Sequence, residues 1–315
     1  MKLTNKTTVT EFLLLGFSLS EETEFSLYVF ISFIYVVTIT ANMFIVIIIK
    51  SDRHLHKPMY FFIGGLSFLE IWYTSVTIPR LLWSLKTRQK FISPGGCMAQ
   101  FYFHFSLGAT EIFLLTAMAY DRYVAICLPL RYLMIMSPKV CAVLITGSWL
   151  GGFSAILVPC LQISSLSFCD GYQIDHYYCD LGPLLSLSCS EKSSCFLLVI
   201  LSYTCIIRTT MTIPTAHGKR KAFSTFASHL VVVLLFYGPI IFMFVRPRTG
   251  GLMHVNKKVS LIPSVVTPLL NPIIYTLRNQ EVIRAMKKTA IKMNIFYGTG
   301  KCAYNQVTAK KNTQI

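Results

Sequence analysis

Six stretches of this chain are apolar for about the thickness of a bilayer and nearly free of charge. Phe25–Ile49, Val140–Ile163, Ala222–Val245 and Val259–Leu277 contain no Asp, Glu, Lys or Arg. Pro58–Pro79 contains only Glu70, and Cys97–Tyr120 contains only Glu111, with His104. Each reaches the ~20 residues that a helix needs to cross a membrane, Val259–Leu277 only just. A soluble helical core would show an apolar stripe with a polar back face. These blocks are apolar all round. The chain as a whole is 54% hydrophobic and 13% charged, about half the charge usual in a soluble domain. The expectation is an all-α membrane protein. A seventh stretch, Cys195–Ile207, is shorter and ends at Arg208. At ~1.5 Å per residue it covers roughly 20 Å of a ~30 Å hydrocarbon layer. Extending it to Ile213 requires Arg208 to snorkel to the interface.

Charge predicts orientation. With seven spans and the N-terminus outside, the cytoplasmic side holds three Lys or Arg in Lys50–Lys57, three in Arg122–Lys139, four in Arg208–Lys221 and eight from Arg278 onward, 18 of the 29. That bias favours an extracellular N-terminus and a cytoplasmic tail. The formal net charge of +16 is then mostly a membrane-facing property, and no soluble basic face suggests a nucleic-acid partner. No cleavable signal peptide is expected. Phe12–Phe17 is apolar but too short, so Phe25–Ile49 is expected to act as its own insertion signal. Asn5-Lys6-Thr7 is a glycosylation sequon on the segment expected outside. The expected organisation is an N-terminal segment 1–24, a membrane domain 25–293 and a tail 294–315.

The polar residues within the blocks carry the functional expectations. Asp121 and Arg122 sit side by side at the end of the third block, in the string MAYDRYVAIC over Met118–Cys127. Ionisable groups at such a depth are costly unless paired or wet, and they commonly mark function. Asn271-Pro272 interrupts the last block, where proline removes a backbone hydrogen bond and permits a kink. Tyr275 lies one turn further on. Asn42 and Glu70, in the first two blocks, are expected to face Asn271 across the bundle. Tyr237-Gly238-Pro239 breaks the sixth block near its middle. Four cysteines, Cys97, Cys169, Cys179 and Cys189, fall on the side expected to be oxidising, and their spacing leaves three pairings open. No CxxC or HExxH spacing suggests a metal, and none is expected.

The motifs resemble one family. MAYDRYVAIC resembles the cytoplasmic end of the third helix in rhodopsin-like G-protein-coupled receptors, in the form found in olfactory receptors. LHKPMYFF (Leu55–Phe62), KAFSTFASHL (Lys221–Leu230) and PLLNPIIYTLRN (Pro268–Asn279) resemble the olfactory-receptor second, sixth and seventh helices, in the same order. The resemblance implies a seven-helix bundle and a ligand-activated receptor that couples to a stimulatory G protein and cyclic-AMP signalling, in the ciliary membrane of sensory neurons. It implies Cys97–Cys179 pairing, with Cys169–Cys189 closing the loop on itself. It also implies that Arg122 pairs with Asp121 at rest, beside Tyr123, and is released as the sixth helix swings out. In this reading Lys219, Arg220 and Lys221 dock the partner's acidic surface, and Asn271, Pro272 and Tyr275 carry the motion of the seventh helix. The Asn42–Glu70 cluster is where such receptors hold water or sodium. Glu70 replaces the commoner Asp there, which weakens the case for sodium.

A ligand pocket is expected between the outer halves of the third, fifth, sixth and seventh helices. Counting back from Arg122 in helical turns selects His104, Phe105, Gly108, Ala109 and Ile112. The sixth helix adds Tyr237, Ile240, Ile241 and Phe244, and the seventh adds Leu261 and Ser264. Such a lining suits a small volatile hydrophobic ligand with one or two oxygens. No Asp stands at His104, where amine receptors of this superfamily carry one, so a cationic amine is disfavoured. His104 itself is either core packing or a hydrogen-bond donor. Beyond the last span, Asn279–Met293 reads as an amphipathic surface helix, with Val282, Met286, Ala290 and Met293 on one side.

One departure from the family stands out. Only 12 residues separate Cys189 from Ser202, fewer than in the receptors the chain resembles. The fifth helix is therefore expected to be short, which removes pocket wall and introduces hydrophobic mismatch. A compensating arrangement would draw Leu181–Cys189 inward to rebuild that wall. Two alternatives follow: a retained, inactive receptor relic, or a transporter, for which no internal repeat is present. An enzyme is not expected, because no base–nucleophile or metal set shares one depth.

Overall fold

The computed structural model describes residues 10–166, 168, 171–188, 253–277 and 282–286, together with positions 235, 238, 239 and 242. Among the described residues, four helices are long and apolar enough to cross a membrane. They are α1 (Glu21–Ser51), α2 (Pro58–Thr87), α3 (Pro94–Cys127) and α5 (Pro138–Ser164), with the short α4 (Tyr132–Ile135) between the last two. A further short helix, α6 (Leu181–Ser186), follows the long loop after α5. The last apolar block and the residues just before it form α7 (Met253–Val259), a π-helical turn over Ile262–Val266, and α8 (Thr267–Leu277).

The helices α3 and α5 start ahead of their apolar blocks because their N-terminal ends are built to hold. Pro94 and Pro138 open α3 and α5, where a missing N–H costs nothing and φ is already helical. Ser93 and Ser137 precede them and accept from the amides of Gly96 and Val140 at 3.2 and 3.4 Å. The helices pack by neighbour: α3 against α5 and α2, α1 against α2 and α8. The α3–α5 crossing is close at Gly152, where a Cβ would lie 2.6 Å from the backbone nitrogen of Thr110. Much of the outer surface is apolar, with Phe25, Phe30, Phe33, Trp72, Trp83 and Leu150 exposed. Lipid is the solvent that such a face fits.

At one end of the bundle the chain forms a three-stranded sheet in the order β2–β1–β3. The central strand is β1 (Phe12–Leu14), antiparallel to β2 (Phe91–Ile92) and parallel to β3 (Gln173–Ile174). Phe12–Phe17, too short to serve as a span, is instead the middle of this cover. Alternation explains it: Phe12 and Leu14 are buried, with Leu13 between them half-buried. Cys97 and Cys179 are joined by a disulfide that fastens the first turn of α3 to the loop carrying β3. Cys169 and Cys189, expected to pair with each other, lie outside the described residues, as do Asn5 and the fifth span.

Candidate functional site

Three sites emerge along the bundle. At the end remote from the disulfide, Asp121 is buried and Arg122 half-buried on the last turns of α3. Arg122 donates Nε to Asp121 Oδ2 at 2.9 Å, and a second guanidinium nitrogen reaches the same oxygen. The other oxygen, Oδ1, accepts from the Tyr132 hydroxyl at 2.7 Å. Tyr132 sits on α4, held near α3 by a 3-10 turn over Pro129–Arg131. Burial and the Asp121 carboxylate push the Tyr132 phenol above its usual range, so it remains a donor. The expected Asp121–Arg122 pair is therefore present with a third member. A tyrosine eleven residues downstream of a carboxylate carries no signal in sequence alone. Tyr123 packs half-buried against the core. Beside this cluster Leu130, Leu133 and Met134 are 98%, 73% and 81% exposed. Lys219, Arg220 and Lys221 lie outside the described residues.

Midway along the bundle is the polar core. Asn42, Glu70 and Asn271 are buried, and so is Glu111. The Asn271 side-chain amide donates to Glu70 Oε1. Asn42 makes a different contact from the one expected. It donates to the carbonyls of Thr38 at 3.0 Å and Pro268 at 3.2 Å, and so reaches α8 one turn before Asn271. Pro272 has no N–H to give to the carbonyl four residues back, so Pro268 O is left open to accept from Asn42. Glu111 is the residue that sequence reasoning passed over. It lies beside Glu70 and interacts with it electrostatically. The two carboxyl groups are hydrogen-bonded to each other, and among the described residues the Glu111 oxygens and Glu70 Oε2 find no other partner. Pro272 is buried within α8. The side-chain role expected of Tyr275 lies outside the described residues.

The third site lies at the disulfide end. His104 on α3 stacks on Tyr73 of α2, ring centres 5.0 Å apart, and lies 4.5 Å from Tyr178 of the loop. Gly108 turns to the same side, where a Cβ would meet Tyr73 at 3.8 Å. Phe105 and Ala109 face the other way, into a cluster with Phe101, Ile156, Leu184 and Leu185. Ile112 joins the central core with α2. Leu261 packs with Tyr177 and Tyr178, and Ser264 is buried. Tyr237, Ile240, Ile241 and Phe244 lie outside the described residues. Leu181, Leu184, Leu185 and Leu187 are buried against α3 and α5. This segment is thus drawn inward onto α3 and α5.

A cover closes over this site. The Cys179 amide donates to Gln100 Oε1 at 3.1 Å, and Gln100 Nε2 donates to Val76 O at 3.2 Å. Lys257 of α7 is buried, and its ammonium donates to Asp175 at 2.5 Å and to the Gly16 carbonyl at 2.6 Å. Gly16 has φ +63°, a left-handed conformation that glycine adopts without strain. Ser260 Oγ lies 3.3 Å from His176 Nε2 and 3.2 Å from Tyr177 Oη. Burial, then Lys257 and His104, hold His176 well below the usual imidazole range. Burial pushes Tyr177 up to about 12, against the opposing Ser260 and Ser264 hydroxyls. Among the described residues no group of three or more His, Cys, Asp or Glu is placed to hold a metal.

A multi-pass helical membrane receptor with a buried polar core, a carboxylate-clamped arginine at one end and a covered aromatic site at the other is the class these features define. The chain belongs to the olfactory receptor family, whose match covers residues 31–293. Among its relatives, Olfactory receptor 6C4 of Homo sapiens is 46% identical over 306 residues, 92% of this chain and 98% of that protein. Olfactory receptor 6B1 of Homo sapiens is 47% identical over 305 residues, covering 92% and 97%. Olfactory receptor 226 of Rattus norvegicus is 46% identical over 300 residues, covering 89% and 92%.

Proposed function

We propose that this chain is a seven-span odorant receptor with its N-terminus outside the cell, its domain bounds those drawn from sequence. It binds a small hydrophobic volatile within the bundle beneath the cover and activates a stimulatory G protein, raising cyclic AMP. The ciliary membrane of sensory neurons is its place. The observation that carries this reading is the clamp on Arg122. Asp121 holds it from one oxygen and is itself held by Tyr132 from the other. A guanidinium kept this way is a bistable element, since release needs only that two hydrogen bonds be exchanged for others. Leu130, Leu133 and Met134 beside it offer the apolar anchors that a partner protein buries on docking. Helical residues 282–286 support the surface-helix expectation, with Val282 buried, Met286 half-buried and Arg284 exposed.

A second reading, a retained receptor relic, rests on the short stretch between Cys189 and Ser202. The seating of Leu181–Leu187 on α3 and α5 favours the working receptor. Antibody staining of an N-terminal tag on intact cells, followed by a cyclic-AMP screen of volatiles, tests both readings. Surface staining with a ligand-dependent rise supports the receptor. Signal only after permeabilisation, with Asn5 glycosylated, supports the relic.

A further inference from the structure

His176 has one ring nitrogen assigned and one without a partner. Its Nε2 lies 3.3 Å from Ser260 Oγ, while Nδ1 is buried with no hydrogen-bond partner among the described residues. The Ser260 contacts determine the tautomer. Ser260 carries a single hydroxyl proton, and its shortest contact, 2.8 Å, is the Lys257 carbonyl, which can only accept. That proton goes to this carbonyl or to Tyr177 Oη, and the Ser260 oxygen accepts from His176 Nε2–H. In a neutral imidazole a protonated Nε2 leaves Nδ1 as a bare acceptor. A buried acceptor without a donor calls for an explanation, because such groups are normally paired.

Two tyrosines hold the ring in place. It stacks on Tyr177 at 4.8 Å and meets Tyr178 edge-on at 4.3 Å. On the opposite flank Tyr178 meets His104 at 4.5 Å, and His104 Nδ1 is also without a partner among the described residues. Lys257 stands close enough to act on His176 electrostatically, and its charge is already matched by Asp175.

We propose that His176 Nδ1 is the acceptor that selects a neutral, hydroxyl-bearing ligand, an alcohol or phenol whose O–H donates to it. The inference rests on the odorant-receptor reading and narrows its ligand class. A ketone, ester or ether has no proton to give. A cationic amine has one but finds Asp175 already paired with Lys257. A carboxylate arrives without its proton and finds Lys257 occupied.

The test uses the full chain in cells, with surface level read from an N-terminal tag and cyclic AMP as the response. The probes are medium-chain and cyclic alcohols, each paired with its own methyl ether and the corresponding ketone. The expected result is an alcohol preference of about tenfold in half-maximal concentration. His176→Gln keeps a donor for Ser260 but deletes the acceptor at the Nδ1 position. It raises the half-maximal concentration for alcohols about tenfold and leaves that for ethers unchanged. His176→Asn, whose amide oxygen takes the Nδ1 place, restores part of the preference. Alcohols and ethers equally active on the unsubstituted receptor, or both shifted together by His176→Gln, would overturn the inference and leave the odorant reading standing. Silence toward every volatile from a chain at the surface would overturn the odorant reading itself.

Discussion

Tyr132 determines how firmly Arg122 is held. Its hydroxyl occupies the one Asp121 oxygen that the guanidinium does not use, and a hydrogen bond to a charged group contributes about 1.5–3 kcal/mol. Tyr132→Phe removes that bond and retains the ring. Asp121 loses its fixed orientation, and the resting pair with Arg122 weakens. The expected outcome is basal cyclic AMP raised about threefold at equal surface level, with little change in the maximal response. An unchanged basal level would mean that Tyr132 only packs. Glu111 supports a prediction of the opposite kind. Its carboxyl group is buried against that of Glu70, with no other partner among the described residues, and a neutral amide of the same shape is easier to bury. Glu111→Gln is expected to stabilise the purified receptor by about 1 kcal/mol, a rise of a few degrees in Tm for a chain of this size. A lower Tm would show that the carboxylate has a counter-partner essential to the fold.

At the scale of elements, the cover works through one ion pair whose two members are unequally exposed. The Lys257 side chain is 3% accessible and that of Asp175 28%. Lys257→Met leaves Asp175 near water, where a lone carboxylate is tolerable. Asp175→Asn leaves a buried ammonium with a carbonyl and an amide in place of a charge. Breaking a buried pair by stranding the inner charge costs about 3 kcal/mol or more, whereas removing that charge costs far less. Thermal melts of the two variants should therefore differ, with Asp175→Asn the lower. Equal losses would mean that the pair is effectively solvated. The long helices were legible in sequence, since apolar length alone located α1, α2, α3 and α5 to within a few residues at most ends. The cover was not. Its strand Phe12–Leu14 is three residues long, and Lys257 and Asp175 are 82 residues apart. Nothing in spacing joins them until the disulfide and the sheet bring both ends together. The polar core was half legible. Asn271 and Glu70 meet as their positions suggested, while Asn42 takes the Pro268 carbonyl because backbone acceptors freed by a nearby proline have no sequence signature.

For the whole molecule, the cover makes stability depend on pH, because one buried imidazole links three segments. His176 is held by Ser260, stacked on Tyr177 and met edge-on by Tyr178. It faces Lys257 from the last span and His104 from α3. Folded, it stays neutral to well below its ordinary value because of burial, then Lys257, then His104. Unfolded, it takes up a proton near pH 6.5. Above that pH both states are neutral and His176 contributes no pH dependence. As the pH falls below about 6.5 the unfolded chain binds a proton that the folded chain refuses. Stability is then lost at up to about 1.4 kcal/mol per pH unit until the folded value is reached. Thermal melts between pH 7.5 and pH 5 should show a falling Tm on the acid side. His176→Gln should flatten that fall, whatever it does to the absolute Tm. A variant as acid-sensitive as the unsubstituted receptor would place the pH dependence elsewhere and release His176 from this role. The same neutrality keeps Nδ1 free to accept, so any acid loss of response to alcohols should follow the melt and depend on His176.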